Sequence, residues 1–296
     1  LLIACFFSSA LFGMAEEQEL QQPQVSVKQQ DEILLALSDL LGEHYILLEP
    51  AVVARKKLDA FGRLDNRQAM TKKDFASMLK DVVQPGLNDK HFRVFVRSPR
   101  PPIEEVDIIN SHIVALSQFR EGGFKDIRMF EGNIGYVKID GFRGEEQHQV
   151  DGMMTYLRTA DAIIIDLQNN GGGGRPVNYL SSYFLPEGTV IGKTYERQKD
   201  QWTSLISEPV KGDRRLDVPV FILTSDFTFS AAEAFAYNLK AQQRVTIVGQ
   251  QTKGGAHPIR FFPLPHGFAT LIPNRRSYNP IPQSNWEKVG IVPDVI

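Results

Sequence analysis

The stretch Ala162-Ile163-Ile164-Ile165-Asp166-Leu167-Gln168-Asn169-Asn170-Gly171-Gly172-Gly173-Gly174 decides the fold. Its first six residues form a nearly unbroken, β-branched apolar run that stops at polar residues. That texture predicts a short strand covered on both faces, as in a parallel sheet under helices. Four successive glycines follow. Glycine reaches positive φ and lets another group approach the backbone closely. At a strand-to-helix junction, the exposed N–H groups of such a loop face whatever sits there. The loop therefore suits a phosphate or an oxyanion, or it is only a flexible connection; the segment alone does not choose. No Lys-Ser/Thr pair follows the glycines, which excludes a Walker-type phosphate loop, and their spacing does not fit a dinucleotide fingerprint.

Outward from this point, strands and helices alternate. Asn133–Ile139, Val218–Thr224 and Val245–Val248 read as strands, and Gln147–Arg158, Val177–Tyr183 and Ala231–Leu239 as helices. This alternation predicts an α/β core. From His257 onward the chain reads as strand and turn. Upstream the texture is helical. Ile33, Leu34, Leu37, Leu40 and Leu41 recur at helical spacing. A second helix runs from Pro50 towards Phe61, and a third starts at Thr71 with a capping-box-like sequence and ends at Pro85-Gly86. A short strand, His91–Val96, follows. Pro99, Pro101 and Pro102 mark a boundary, so the reading is a small N-terminal helical bundle over 28–102 and a catalytic-type core over 103–296.

A second segment bears on chemistry: Thr224-Ser225-Asp226-Phe227-Thr228-Phe229-Ser230-Ala231-Ala232-Glu233. A buried strand ends, a short loop follows, and Ser230 stands where a helix begins. A serine there is either an N-cap or a nucleophile. In the second case the helix amides favour the negative charge that develops on a substrate oxygen.

The 296 residues are 42% hydrophobic and 23% charged, with a net charge of −2. This is a globular composition, with no basic stripe for nucleic acid. Leu1–Phe12 is an apolar run closed by Gly13, Met14 and Ala15, too short to span a bilayer, and it reads as the end of a secretory signal covering 1–15. Residues 16–27 then form a solvated linker. Leu2-Ile3-Ala4-Cys5 also resembles a lipoprotein acylation signal, although the apolar run continues past Cys5. The reading is an exported chain, periplasmic or extracellular, with lipid anchoring at Cys5 as the rival. Cys5 is the only cysteine, so no disulfide framework and no cysteine nucleophile are expected in the mature domain. His44, His112, His148 and His266 share no metal spacing; no metal and no cofactor are expected.

Taken together, Asn133–Phe142, Asp166–Pro176, Thr224–Lys240, Gly249–Pro258 and Asn285–Val295 resemble the tail-specific (C-terminal processing) serine protease family. The branch is the one that includes interphotoreceptor retinoid-binding protein and its bacterial relatives. The resemblance covers nearly all of the chain after the linker. It implies a crotonase/ClpP-like α/β spiral and a serine-type peptidase acting on polypeptides, with Ser230 as nucleophile. The oxyanion hole would be the Ala231 amide with a glycine amide of the Gly171, Gly172 and Gly173 loop. Only about thirty residues separate Pro102 from Asn133, too few for the PDZ module of many such proteases, which needs ~80–100.

The resemblance also frames the general base. Many relatives use a lysine 25 residues after the serine, but that position here is Gly255, and Lys253 lies two places off. A tricorn-like branch uses a histidine from the N-terminal part. Asn88-Asp89-Lys90-His91-Phe92 resembles its Asp-x-His block, which makes His91 a candidate to take the Ser230 proton. Glu287, in Asn285-Trp286-Glu287-Lys288-Val289-Gly290, matches the acidic position that orients the relay or binds water. His257 is the rival base, although a structural or substrate-lining role fits it better, and Thr252 is a further candidate to line the substrate site or act as base. The same scaffold in the retinoid-binding relatives carries apolar ligands without catalysis, which is the competing function.

Overall fold

The structure, a computed structural model, describes residues 24–97, 123–143, 147–174 and 176–296. The expected signal segment, Cys5, the proline boundary at 99–102 and most of the linker lie outside them. In chain order the elements are β1 (Gln24–Val25), α1 (Val27–His44), α2 (Leu48–Gly62), β2 (Met70–Thr71), α3 (Lys72–Leu87), β3 (Arg93–Val96), β4 (Phe124–Phe130), β5 (Ile134–Ile139), α4 (Gln147–Tyr156), β6 (Ala162–Asp166) and α5 (Pro176–Ser182). Then follow β7 (Val190–Glu196), β8 (Gln201–Ile206), β9 (Val220–Thr224), α6 (Ala231–Ala241), β10 (Thr246–Gly249), β11 (Ile259–Pro263), β12 (Phe268–Pro273) and β13 (Arg275–Tyr278). No helix among the described residues is long and apolar enough to cross a membrane.

The chain divides into two compact units. The first holds the residues up to Asn88, with Phe92–Arg100 and Arg260–Ile272. Its helix α1 starts at a capping box: Ser26 Oγ accepts from Gln29 N, and Gln29 Oε1 accepts from Ser26 N at 2.9 Å. Ile33, Leu37 and Leu41 from α1, Ala51 and Ala54 from α2, and Phe75, Leu79 and Val83 from α3 share one core with Phe268 and Ile272 of β12. The return segment enters because β12 pairs antiparallel with β3, a pairing that the division at residue 102 leaves out. The linker drawn to residue 27 ends sooner: Gln24–Val25 pairs with Met70–Thr71, and Val25 is fully buried. Helix α3 also runs through Pro85 and Gly86 to Leu87, with Asn88 closing it at φ 46°. A proline in a last turn forfeits one backbone bond but not the helix. Gly86 is needed where α3 meets α2, since a Cβ there would sit 3.0 Å from Ala54 N.

The second unit comprises Asp89–His91, 101–259 and 273–296. Its main sheet has the order β10-β9-β6-β5-β4, parallel except for the β4 edge. Parallel neighbours need crossovers, and α4, α5 and α6 supply them. The core gathers Ile163, Ile165 and Leu167 with Ile222, Ile247, Phe235 and Leu239. Strands β4, β7 and β8, which the sequence reading does not place, are observed here; β7 and β8 form a separate antiparallel sheet with β13. Ile165 is fully buried at the centre of the main sheet. Truncating Ile165→Ala is expected to cost about 2–5 kcal/mol of unfolding free energy, measurable as a lowered urea midpoint.

Candidate active site

Strands β6 and β9 are adjacent and parallel, in the register Ile165 with Ile222 and Asp166 with Leu223. Their carboxyl ends therefore emerge side by side, where open α/β sheets place their clefts. The glycine loop follows β6, and the Ser230 turn follows β9. Hydrogen bonds lock the two loops together: Leu167 N to Leu223 O at 2.9 Å, Thr228 Oγ1 to Leu167 O at 2.9 Å and Phe229 N to Asn170 O at 3.0 Å. Gly172, at φ 106°, packs directly on the serine. A Cβ there would lie 2.7 Å from Ser230 Cβ and 3.2 Å from Ala231 N. Only glycine permits that approach.

Ser230 occupies the N-cap position of α6 without the extended backbone of an ordinary N-cap. Its φ of 58° and ψ of −118° are a strained conformation for a residue with a side chain. Its hydroxyl meets His91 Nε2 at 2.9 Å. His91 is 7% exposed, and its ring stacks on Phe229 with centroids 4.4 Å apart. Behind it, Asp89 Oδ1 accepts from His91 N at 2.9 Å and lies 3.9 Å from His91 Nδ1. Asp89 Oδ2 meets His257 Nδ1 at 2.8 Å. Burial alone would raise the Asp89 carboxyl, but the bonds from His257 and the His91 amide more than offset it, and the group sits below the ordinary carboxylate range.

Glu287 and His257 both stand beside Asp89. Glu287 Oε2 accepts from Ala256 N at 2.6 Å and lies 3.8 Å from His257 Nδ1. Glu287 Oε1 is buried with no hydrogen-bond partner among the described residues, and burial pushes the carboxyl upward. His257 is held by Asp89, and Ser230 Oγ meets His91 instead. Thr252 is buried. Its hydroxyl donates to Glu233 Oε1 at 2.5 Å and accepts from Ile291 N at 2.8 Å. Of the expected oxyanion donors, the Gly172 amide is engaged by Asn170 Oδ1 at 2.8 Å. The Gly171 and Ala231 amides have no acceptor among the described residues.

Glu233 is the residue that sequence reasoning passes over. Fully buried, it accepts from Ser230 N at 2.9 Å, Gly254 N at 2.6 Å and Gly255 N at 2.9 Å, besides Thr252. Burial pushes its carboxyl upward, and these four donors pull it back. The signal for it was its position three residues after the serine, which also fits an ordinary helix start. The Asp89, His257 and Glu287 donor atoms lie within 4.8 Å of one another, the one such group among the described residues able to face a single cation.

The profile of peptidase family S41 matches residues 133–296. The chain belongs to this family. The carboxyl-terminal-processing protease of Synechocystis sp. is 30% identical over 167 residues, covering 55% of this chain and 38% of that protein. The tail-specific protease of Haemophilus influenzae is 29% identical over 127 residues, 41% of this chain and 17% of that protein. The matches therefore span well under half of these relatives' length. Among solved structures, a lipoprotein from Streptococcus agalactiae aligns at TM-score 0.59 and 16% identity, covering 92% of each chain. A photosystem II D1 C-terminal processing protease aligns at 0.58 and 14%, covering 90% of this chain and 92% of that one. At such identities the likeness is one of fold, and it agrees with the mixed α/β architecture.

A carboxyl held below its unfolded value stabilises the fold above the unfolded pKa, and that contribution is lost as pH falls through the folded value. Asp89→Asn is therefore expected to lower stability at pH 7 by about 1–3 kcal/mol. The gap to the parent protein should narrow as pH drops below about 4. Thermal melting of both proteins across that range reads it.

Proposed function

We propose that the chain is a serine-type peptidase that hydrolyses polypeptides through an acyl-enzyme on Ser230. The observation that carries this reading is the 2.9 Å contact of Ser230 Oγ with His91 Nε2 at a strained turn on the cleft side of the sheet. In the proposed reaction His91 takes the hydroxyl proton as Oγ attacks the peptide carbonyl. It then delivers that proton to the leaving amine, and water attacks the acyl-enzyme by the same route in reverse. The oxyanion is received by the Ala231 amide, aided by the α6 N-terminus, and by an amide of the Gly171–Gly172 loop. Taking it at Gly172 means exchanging Asn170 Oδ1 for the substrate oxygen.

Asp89 serves as the positioning acid: it fixes the His91 backbone and lies near its far ring nitrogen. His257 holds Asp89 in turn. Glu287 supports the Ala256–His257 segment and disfavours any movement of His257 toward a base role. A lysine base is disfavoured on steric grounds. At Gly255, the position where dyad relatives carry lysine, a Cβ would lie 2.7 Å from His91 Cε1 and 2.2 Å from Phe229 Cε2. The imidazole occupies the space that a lysine stem needs.

The finer readings belong to the same proposal. The core follows the crotonase/ClpP-type spiral, preceded by a helical bundle. The apolar leader directs export, to the periplasm or beyond, and polypeptide tails are the substrate class that the curated relatives' names suggest.

Ser230→Ala and His91→Ala, each folded by circular dichroism, should lower kcat on an unfolded polypeptide by about 10³–10⁶. Ser230→Ala should also abolish covalent labelling by a fluorophosphonate. Turnover equal to the parent's in Ser230→Ala removes the nucleophile. Absence of labelling in the parent, with retention of a lipid, favours the non-catalytic binder.

A further inference from the structure

Beside the glycine loop lies a cavity of about 610 Å³ lined by Lys125, Asp140, Arg143, Gly172 and Phe227, among others. The backbone builds it. Lys125 is the extra residue of a β-bulge in β4, between Phe124 and Asp126. Bulges beside active sites serve to re-aim a side chain. Gly123, at φ 93°, packs so tightly on Gly141 that a Cβ would lie 1.8 Å from Gly141 O, and Asp140 N donates to Gly123 O at 2.8 Å. Each cation stands two residues beyond one partner of this glycine contact. The Arg143 side chain also folds back over Gly141, its Nε 3.0 Å from where a Cβ would be.

The same segment is stitched to the oxyanion loop. Phe142 N donates to Gly172 O at 2.9 Å, and Gly174 N to Phe142 O at 2.8 Å. Gly172 in turn packs on Ser230. The backbone that carries Lys125 and Arg143 is thus tied to the turn that holds Ser230. Neither pairs with a carboxylate among the described residues. The neighbouring Asp126 is taken by Arg128 at 2.5 Å. Asp140 brings one carboxylate to the cavity. Its Oδ1 is buried without a hydrogen-bond partner among the described residues, an acceptor free for a peptide N–H.

We infer that this cavity is a substrate subsite for a carboxylate close to the scissile bond, held by Lys125 and Arg143. The inference rests on Ser230 being the nucleophile only for its catalytic consequence; the binding consequence stands alone. The carboxylate is either the substrate's terminal one or an Asp/Glu side chain. A part-exposed cation contributes about 0.2–1 kcal/mol to such a contact. Two cations acting together therefore give a preference of roughly twofold to thirtyfold, weakening with salt.

The test uses two sets of fluorescent peptides: one sequence as C-terminal acid and as amide, and amide-blocked peptides carrying Asp or Glu against Asn or Gln at successive positions. Binding is read by anisotropy on Ser230→Ala, and kcat/KM on the parent. The parent should prefer the charged member in at least one set by roughly twofold to thirtyfold. Preference in the first set alone assigns the terminal carboxylate, and in the second alone the side chain. Lys125→Met with Arg143→Met should bring the ratio to near one, and Lys125→Glu with Arg143→Glu should invert it. Equal binding of charged and neutral peptides by Ser230→Ala, or a preference untouched in both double variants, overturns the subsite. If peptides bind with the predicted preference but are never cleaved, the subsite stands and the peptidase reading falls.

Discussion

A buried carboxylate with four donors is the constraint on which the site depends. Glu233 reaches back to Ser230 N and sideways to Thr252 and the Gly254 and Gly255 amides. An isolated charge inside a protein is costly, whereas one whose lone pairs are filled is rigid. The serine turn and the 252–255 strap are thereby set by one side chain. The positive φ of Ser230 is a strain of about 1–3 kcal/mol, and it persists only where surroundings over-determine it. Here the surroundings are Glu233 on one side and the Gly172 backbone on the other.

The strap also fixes what can stand beside Ser230. With Gly255 pinned by Glu233, its bare backbone lies under His91 and Phe229, and the next residues present Ala256 N to Glu287 and His257 to Asp89. Trp286 closes the rear by donating Nε1–H to Gly255 O at 2.7 Å. The His91 ring thus fills the space beside Gly255, in a packing arrangement in which each group excludes an alternative position for its neighbour.

Much of this was legible in the sequence, and the reasons are local. A short β-branched run ending in glycines marks a buried strand and a close backbone approach wherever it occurs, so β6 and its loop were readable, as was a serine at the start of α6. Strand β8 escaped because its residues are largely exposed, and β7 because its apolar residues stop after Ile191 and give no run. Helix α3 outran Pro85-Gly86 because tertiary contact with α2 overrode a local breaker. Within the site, His91 was readable from its block and from the glycine at the lysine position. The bonds of Asp89 to His257 and of Glu233 to the strap join residues 168 and 21 or 22 positions apart, and no spacing in one sequence encodes such pairings. Glu287 was noticed for its position, but its bond to Ala256 depends on the return of the C-terminal segment.

In the proposed reaction, Ser230 Oγ attacks a carbonyl whose oxygen turns into main-chain amides while His91 holds the proton. A crystal structure of the protein with a peptidyl phosphonate tests it most directly. The account predicts phosphorus bonded to Ser230 Oγ, one phosphonyl oxygen 2.7–3.1 Å from Ala231 N and a loop amide, and His91 Nε2 still within hydrogen-bond reach. Phosphorus bound elsewhere, or that oxygen turned to solvent with Gly172 still held by Asn170, would contradict it.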